Sequence, residues 1–176
     1  AVQATLAATY TALSPSWTDV SNAVAQCALS GDTVVVPAGG AKWTNVLQIS
    51  KGVQIVGSGT NLTHITNAVP ISSPWGGTYR PPLFWVTHTN HWLTRFSSMH
   101  IVCNPTAGTA GWTNVGAWTN NLGFLLVDPA TRNTNSWISQ LVVDRNWVQY
   151  VYSRAIYTDG DVFGVVYSNR FDDCSL

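Results

Sequence analysis

Between Ser16 and Ile65 the chain sets one short amphipathic stretch ahead of a series of very short apolar segments, and this arrangement leaves few folds open. Ser16–Leu29 places Val20, Ala23, Val24 and Cys27 at three- and four-residue steps, the spacing of a helix with one apolar stripe. Thr33–Val36, Val46–Ile49, Val53–Val56 and Thr63–Thr66 read as strands of about four residues, and no two-residue hairpin signal joins any of them to the next. Strands this short, without hairpins, bury apolar surface by stacking in successive coils. A helix at the front then covers the open edge and open core of the stack. The expected architecture is a solenoid.

The ends of the helix carry their own signals. Ser16 is the expected N-cap, Asp19 its capping-box partner, and Gly31 the left-handed residue that ends the helix.

Gly31-Asp-Thr-Val-Val-Val-Pro-Ala-Gly39, Trp43, and Leu47-Gln-Ile-Ser-Lys-Gly-Val-Gln-Ile-Val-Gly-Ser-Gly-Thr60 resemble the opening of right-handed parallel β-helix proteins of the pectate-lyase-like superfamily. The resemblance is specific over about the first third of the chain. It implies an all-β fold, a right-handed parallel β-helix of three-sided coils with a short N-terminal capping α-helix. It also implies the company of secreted polysaccharide lyases, glycoside hydrolases, phage tailspikes and cell-surface proteins. The reading is one domain over 1–176: an N-terminal strand and capping helix in 1–31, then coils in 32–176 with inserted loops at 68–82 and 104–121.

Later segments continue the coil pattern: Leu83–Val86, Leu93–Phe96, Met99–Val102, Phe124–Val127, Ile138–Val143, Ala155–Tyr157 and Phe163–Val166. Val142-Val-Asp-Arg-Asn-Trp147 and Val165-Val-Tyr-Ser-Asn-Arg-Phe171 read as consecutive copies. Their valine pairs lie 23 apart, and Trp147 and Phe171 lie 24 apart, within the range of solenoid periods. In that alignment Asn146 stacks on Asn169, a structural ladder rather than a catalytic pair.

Charge narrows the function. Eight basic residues balance eight acidic ones, so nothing in the composition supports capture of nucleic acid, which needs clustered Lys and Arg. No run reaches the length of a membrane-spanning helix, and no membrane insertion is expected. Residues 1–10 have neither the basic start nor the apolar block of a signal peptide, and the chain starts without Met, which fits a processed, exported form and an extracellular or cell-surface location. Cys27, Cys103 and Cys174 form an odd set and are expected to be free and mostly buried thiols.

The two insertions are the natural seat of function, because long Pro-, Gly- and Thr-rich loops in a compact repeat are usually functional or disordered. They carry Trp75, Tyr79, Arg80, Trp112 and Trp118. An indole on a solvent-facing loop stacks on the apolar face of a sugar ring while Asn and Thr serve its hydroxyls. Folding of the same tryptophans back onto the solenoid flank, or against another subunit, is the competing reading. Trp-Thr-Asn recurs at 43, 112 and 118, a hint of a repeated local structure. Tyr150 and Tyr152 share strand parity with Arg154 and are expected to form one exposed patch with it.

Catalytic signals are sparse. The resemblance implies a calcium-binding acidic cluster with a basic residue for a lyase, or a carboxylate pair for a glycosidase. Arg154, Asp159 and Asp161 are the candidates, although an Asp-Gly-Asp turn has its own conformational reasons to exist. Catalysis within 1–176 is not expected, no cofactor is implied, and calcium enters only if the protein is a lyase. His64 and His100 lie among apolar strand residues and read as structural histidines. His88 and His91 have no Cys or carboxylate set to complete a zinc site.

Two functions fit this sequence. One is a secreted or cell-surface β-helix that binds or processes polysaccharide. The other is a non-enzymatic subunit of an extracellular fibre, surface layer or phage spike. Phe171–Leu176 follows a strand without a closing helix, so further coils or another subunit are expected to cap it, and head-to-tail contacts between copies would build a filament.

Overall fold

In the computed structural model, residues 6–28, 30–70, 81–87, 92–103, 122–128, 137–151, 154–158 and 161–174 are described. After β1 (Thr9–Thr11) and α1 (Trp17–Gln26), the strands are β2 (Asp32–Val36), β3 (Gly39–Trp43), β4 (Leu47–Ile49), β5 (Val53–Gly57), β6 (Thr63–Asn67), β7 (Phe84–Val86) and β8 (Thr94–Ser97). They continue as β9 (His100–Val102), β10 (Leu122–Val127), β11 (Trp137–Asp144), β12 (Trp147–Gln149), β13 (Arg154–Thr158), β14 (Asp161–Tyr167) and β15 (Arg170–Asp172).

Every pairing is parallel. The first sheet runs β1-β2-β5-β8-β11-β14, the second β3-β6-β9-β12-β15, and the third β4-β7-β10-β13. The chain visits the sheets in that order on each circuit. The fold is an all-β, three-sided parallel β-helix with one N-terminal helix, the class the sequence implied.

Alternation makes the core. In β2, β5 and β6 every second residue is buried, so Val34, Ile55 and Ile65 point to the axis while Val35, Gln54 and His64 point away. Trp43 meets Phe84 edge-on at 5.2 Å. Phe84 lies 4.8 Å from Phe96 and 5.8 Å from Phe124, a continuous aromatic column inside the coils. Truncating any one of these fully buried rings would cost about 3–5 kcal/mol.

The helix covers the front of this column. Val20, Ala23, Val24 and Cys27, the expected apolar stripe, are all buried. Ser16 caps the helix, its hydroxyl accepting from Asp19 N–H at 3.2 Å. The reciprocal arm departs from the expected capping box: Asp19 accepts from the Ser14 hydroxyl, and Ser14 Oγ takes the Ser16 N–H at 3.1 Å. The helix also ends earlier than Gly31 suggested. Cys27 turns to extended backbone, while Gly31, at φ +91°, serves the turn into β2. The reason is Asp32, whose buried carboxylate accepts from Ala28 N–H at 2.9 Å and Ala8 N–H at 2.7 Å, and so fixes both the helix exit and the N-terminal strand. Lys51 Nζ donates to the Cys27 carbonyl, and Trp43 Nε1 donates to Pro15 O at 2.9 Å, tying the cap to the first coil.

The register adds one strand that the sequence did not signal and corrects two further expectations. The Gly-Gly-Ala-Lys-Trp run of β3 has low strand propensity but pairs with β6 along its whole length, because the coil must cross the second sheet there. Trp147 lies opposite Arg170, and Phe171 opposite Val148, so the last circuit keeps one 23-residue step and the 24-residue Trp–Phe match does not hold. Tyr150 sits at φ +60° in the turn before β13, so strand parity does not join it to Arg154. The Asn stack is present: Asn146 Nδ2 donates to Asn169 Oδ1 at 3.1 Å, and Asn169 Oδ1 also accepts Asn146 N–H at 3.0 Å. Cys27, Cys103 and Cys174 are unpaired, the first two buried.

Candidate functional site

The two insertions leave the β-helix at one corner. The first departs after β6 and returns before β7, and the second departs after β9 and returns before β10. Both therefore span the step from the second sheet to the third, one coil apart. Asn67 ties their roots together. Its Nδ2 donates to Pro81 O and Gly123 O, each at 3.0 Å, and its Oδ1 accepts from Val69 N–H at 3.0 Å. Gly123 is required for this approach, since a Cβ there would lie 2.9 Å from both Cβ and Sγ of Cys103.

Beside this corner the third sheet carries a row whose register sets it on the outer side, with Leu126 in that row buried. Gln48 lies opposite Trp85, Trp85 opposite Leu126 and Leu126 opposite Tyr157, one residue per coil. Gln48 Nε2 donates to Thr87 Oγ1 at 3.3 Å, and the Arg154 guanidinium lies over the Tyr157 ring at 4.5 Å. This row escaped the sequence reading because each coil contributes one residue, and the contributors are separated by insertions of unequal length.

Of the residues singled out from sequence, Trp75, Tyr79, Arg80, Trp112, Trp118, Tyr152 and Asp159 lie outside the described residues. Asp161 opens β14, with its side chain outside the described part. Arg154 is exposed on β13 and Tyr150 half-buried in the preceding turn. The acidic residues that are described do not converge. Asp144 is fully buried on the first sheet between the Arg95 fork, with both contacts at 2.7 Å, and Arg145 at 2.8 Å. The hydrogen bond from Arg95 is the main cause that holds its carboxyl below the usual range, while burial works in the other direction. Asp172 stands on the second sheet, held by Arg170 at 2.6 Å and by Trp147 Nε1 at 2.9 Å. Each is neutralised by its own partners on a different sheet, so the pair does not fit a calcium centre. Among the described residues, no three His, Cys, Asp or Glu side chains gather.

The outer face of the second sheet carries a different column. His64, His100, Trp147 and Arg170 lie opposite one another on successive coils. Nδ1 of His64 and Nδ1 of His100 are 2.8 Å apart, and His100 Nε2 reaches Gln149 Oε1 at 2.7 Å. The His100 ring stacks flat on Trp147, with centroids 4.0 Å apart and planes at 8°, and the Arg170 guanidinium lies 4.6 Å from the same indole. Both faces of Trp147 are therefore taken, so it is not a free platform for a sugar. Burial pushes the His100 pKa down, opposed by its hydrogen bond to Gln149. The sequence showed two separate structural histidines; only the register brings them into contact.

No family model matches the chain, and no curated protein does. Among solved structures it is similar to a pectin methylesterase mutant crystallised with a hexasaccharide, at 16% identity and a TM-score of 0.43. The likeness covers 92% of this chain and 50% of the other, so the chain spans half the length of that protein.

Proposed function

We propose that this protein is an extracellular or cell-surface β-helix that binds or processes polysaccharide at the corner between its second and third sheets. The observation that carries the reading is the shared root of the insertions. Asn67 holds Pro81 and Gly123 to one point, so the Pro-rich insertion that carries Trp75, Tyr79 and Arg80 and the Thr- and Asn-rich insertion that carries Trp112 and Trp118 are rooted on adjacent coils, at the corner next to the Gln48–Trp85–Leu126–Tyr157 row. On that row Gln48, the half-buried Trp85 and the half-buried Tyr157 stand on different coils around the buried Leu126, and groups set out at about 4.8 Å per coil suit an extended polymer better than a compact ligand. The indoles would cover apolar sugar faces, and Gln48, Thr87 and Arg154 would serve hydroxyl or carboxylate groups.

Affinity electrophoresis through gels containing a panel of neutral and acidic polysaccharides tests the binding. Retardation by at least one polymer, lost in Trp112→Ala/Trp118→Ala and in Trp75→Ala/Tyr79→Ala, is expected; unchanged mobility in every gel would remove the proposal. Processing is tested separately by the absorbance of unsaturated products and by reducing ends, with and without a calcium chelator. Arg154→Ala, Asp159→Asn and Asp161→Asn are the variants that report on acid–base chemistry.

A structural role assembling head to tail is the second reading, and one observation favours it. Val166 and Phe171, which lie in register with the buried Val143 and Val148, are 54% and 43% exposed, so apolar inward positions of β14 and β15 offer a face to another copy. Sedimentation velocity on the 176-residue chain separates the two: concentration-dependent polymers support assembly, and a single slow boundary opposes it.

A further inference from the structure

We propose that His64 and His100 form a binding site for a divalent late first-row transition ion, copper(II) or nickel(II) foremost. Their strands, β6 and β9, pair in a register that sets residue 64 directly opposite residue 100. The two Nδ1 atoms lie 2.8 Å apart. Metal–imidazole bonds of roughly 2.0 Å that meet at a right angle separate the two nitrogens by about 2.8 Å, whereas a tetrahedral angle requires about 3.3 Å. The observed gap therefore matches two neighbouring corners of a tetragonal site. Without an ion, one N–H of the pair fills the gap as a hydrogen bond.

The surroundings are those of an oriented ligand. His100 Nε2 is engaged by Gln149 Oε1 at 2.7 Å, the outer hydrogen bond that fixes which nitrogen keeps its proton and which is left to bind. The ring is locked from the side by its flat stack on Trp147. In the metal-free pair the bridging hydrogen is then the one on His64 Nδ1, and binding an ion shifts that proton to His64 Nε2, so the ion takes its place with both rings neutral and no net proton released. Water completes the coordination, since no third imidazole, thiolate or carboxylate among the described residues joins the pair. The site is thus a weaker one than a closed structural centre. It also stands on the second sheet, away from the row proposed for polysaccharide, and its test is independent of that reading.

Copper(II) titration of the 176-residue chain at neutral pH, followed by calorimetry and by electron spin-echo spectroscopy, decides the matter, with nickel(II) as a second ion that thiols do not reduce. The chain is expected to bind one equivalent through two imidazoles. His64→Gln leaves His100, Gln149 and Trp147 in place; it should weaken binding by about tenfold or more and reduce the imidazole count to one. Gln149→Ala should weaken binding by about tenfold while both imidazoles stay. His88→Gln/His91→Gln should change nothing. Affinity in His64→Gln within about twofold of the parent, or loss of the signal in His88→Gln/His91→Gln instead, would overturn the site.

Discussion

The side-chain amide of Asn67 donates to the carbonyl oxygen of Gly123 at 3.0 Å, joining residues 56 positions apart in the chain. The same nitrogen holds Pro81, and the amide oxygen holds Val69, so one buried side chain closes the first insertion and receives the return of the second. In a stack of coils every rung contacts only its neighbours. A side chain that bonds three backbone groups at one corner therefore fixes the geometry of everything that grows from it.

Asn67→Ala should cost about 3 kcal/mol, because two carbonyls and one N–H would remain buried with their partner removed, at about 1–3 kcal/mol each before water enters. Asn67→Asp should be at least as damaging despite its identical shape, since a carboxylate cannot donate to two carbonyl oxygens. Urea unfolding measures both. A harmless Asp variant would show that the donor role is wrongly assigned.

Gly123→Ala tests the close approach of the second insertion. Its Cβ would stand 2.9 Å from Cys103 Cβ and Sγ and 3.2 Å from Val151 Cγ2, all in the core. Backbone has to shift, and a loss of about 1–3 kcal/mol is expected. Amide exchange should quicken in β10 first, and an unchanged exchange pattern there would contradict the packing argument.

The asparagine ladder predicts an order. Asn146 is buried, donates to Phe96 O at 3.0 Å and to Asn169 Oδ1 at 3.1 Å, and accepts Met99 N–H at 3.2 Å. Asn169 is half-buried and donates to Val143 O at 2.8 Å. Asn146→Ala should lower stability by about 3 kcal/mol and Asn169→Ala by about 1 kcal/mol. Chemical denaturation of the two variants side by side checks the order; equal losses would mean that the ladder is not read correctly.

Acid should weaken the first sheet through Asp144. Its folded-state pKa is depressed, chiefly by the Arg95 fork, below the value it has in the unfolded chain. The stabilisation is complete above the ordinary carboxylate pKa of about 3.9 and is lost as pH falls through the lower folded value. Asp144→Asn should therefore be less stable than the parent at neutral pH and lose less on acidification. Urea midpoints measured from neutral pH down through the carboxylate range give the comparison, and parallel curves for the two proteins would rule the residue out.

Rung spacing explains what could be read along the chain. The first-sheet register carries Thr33 to Gln54, Gln54 to Arg95, Arg95 to Val142 and Val142 to Val165, steps of 21, 41, 47 and 23 residues. Only the last of these stood out as a repeat, because there two coils follow each other with no long insertion between and with matching side chains, whereas the equally uninterrupted first step joins segments of unlike sequence. The Asn146–Asn169 contact was legible for the same reason. His64 and His100, or Asn67 and Gly123, are separated by an insertion and share no local pattern.

The sequence by itself determined the strands other than β3, the capping helix and the inward valines, isoleucines and phenylalanines, since two-residue and 3.6-residue periodicities are local properties of a chain that must hide apolar surface. Tertiary structure alone decided which outward side chains became neighbours. Parallel strands bring together residues tens of positions apart, and the loop lengths that set those distances leave no trace in hydrophobic pattern. The imidazole pair, the Asn67 clasp, the buried Asp144 fork and the Gln48–Trp85–Leu126–Tyr157 row all arise in this way.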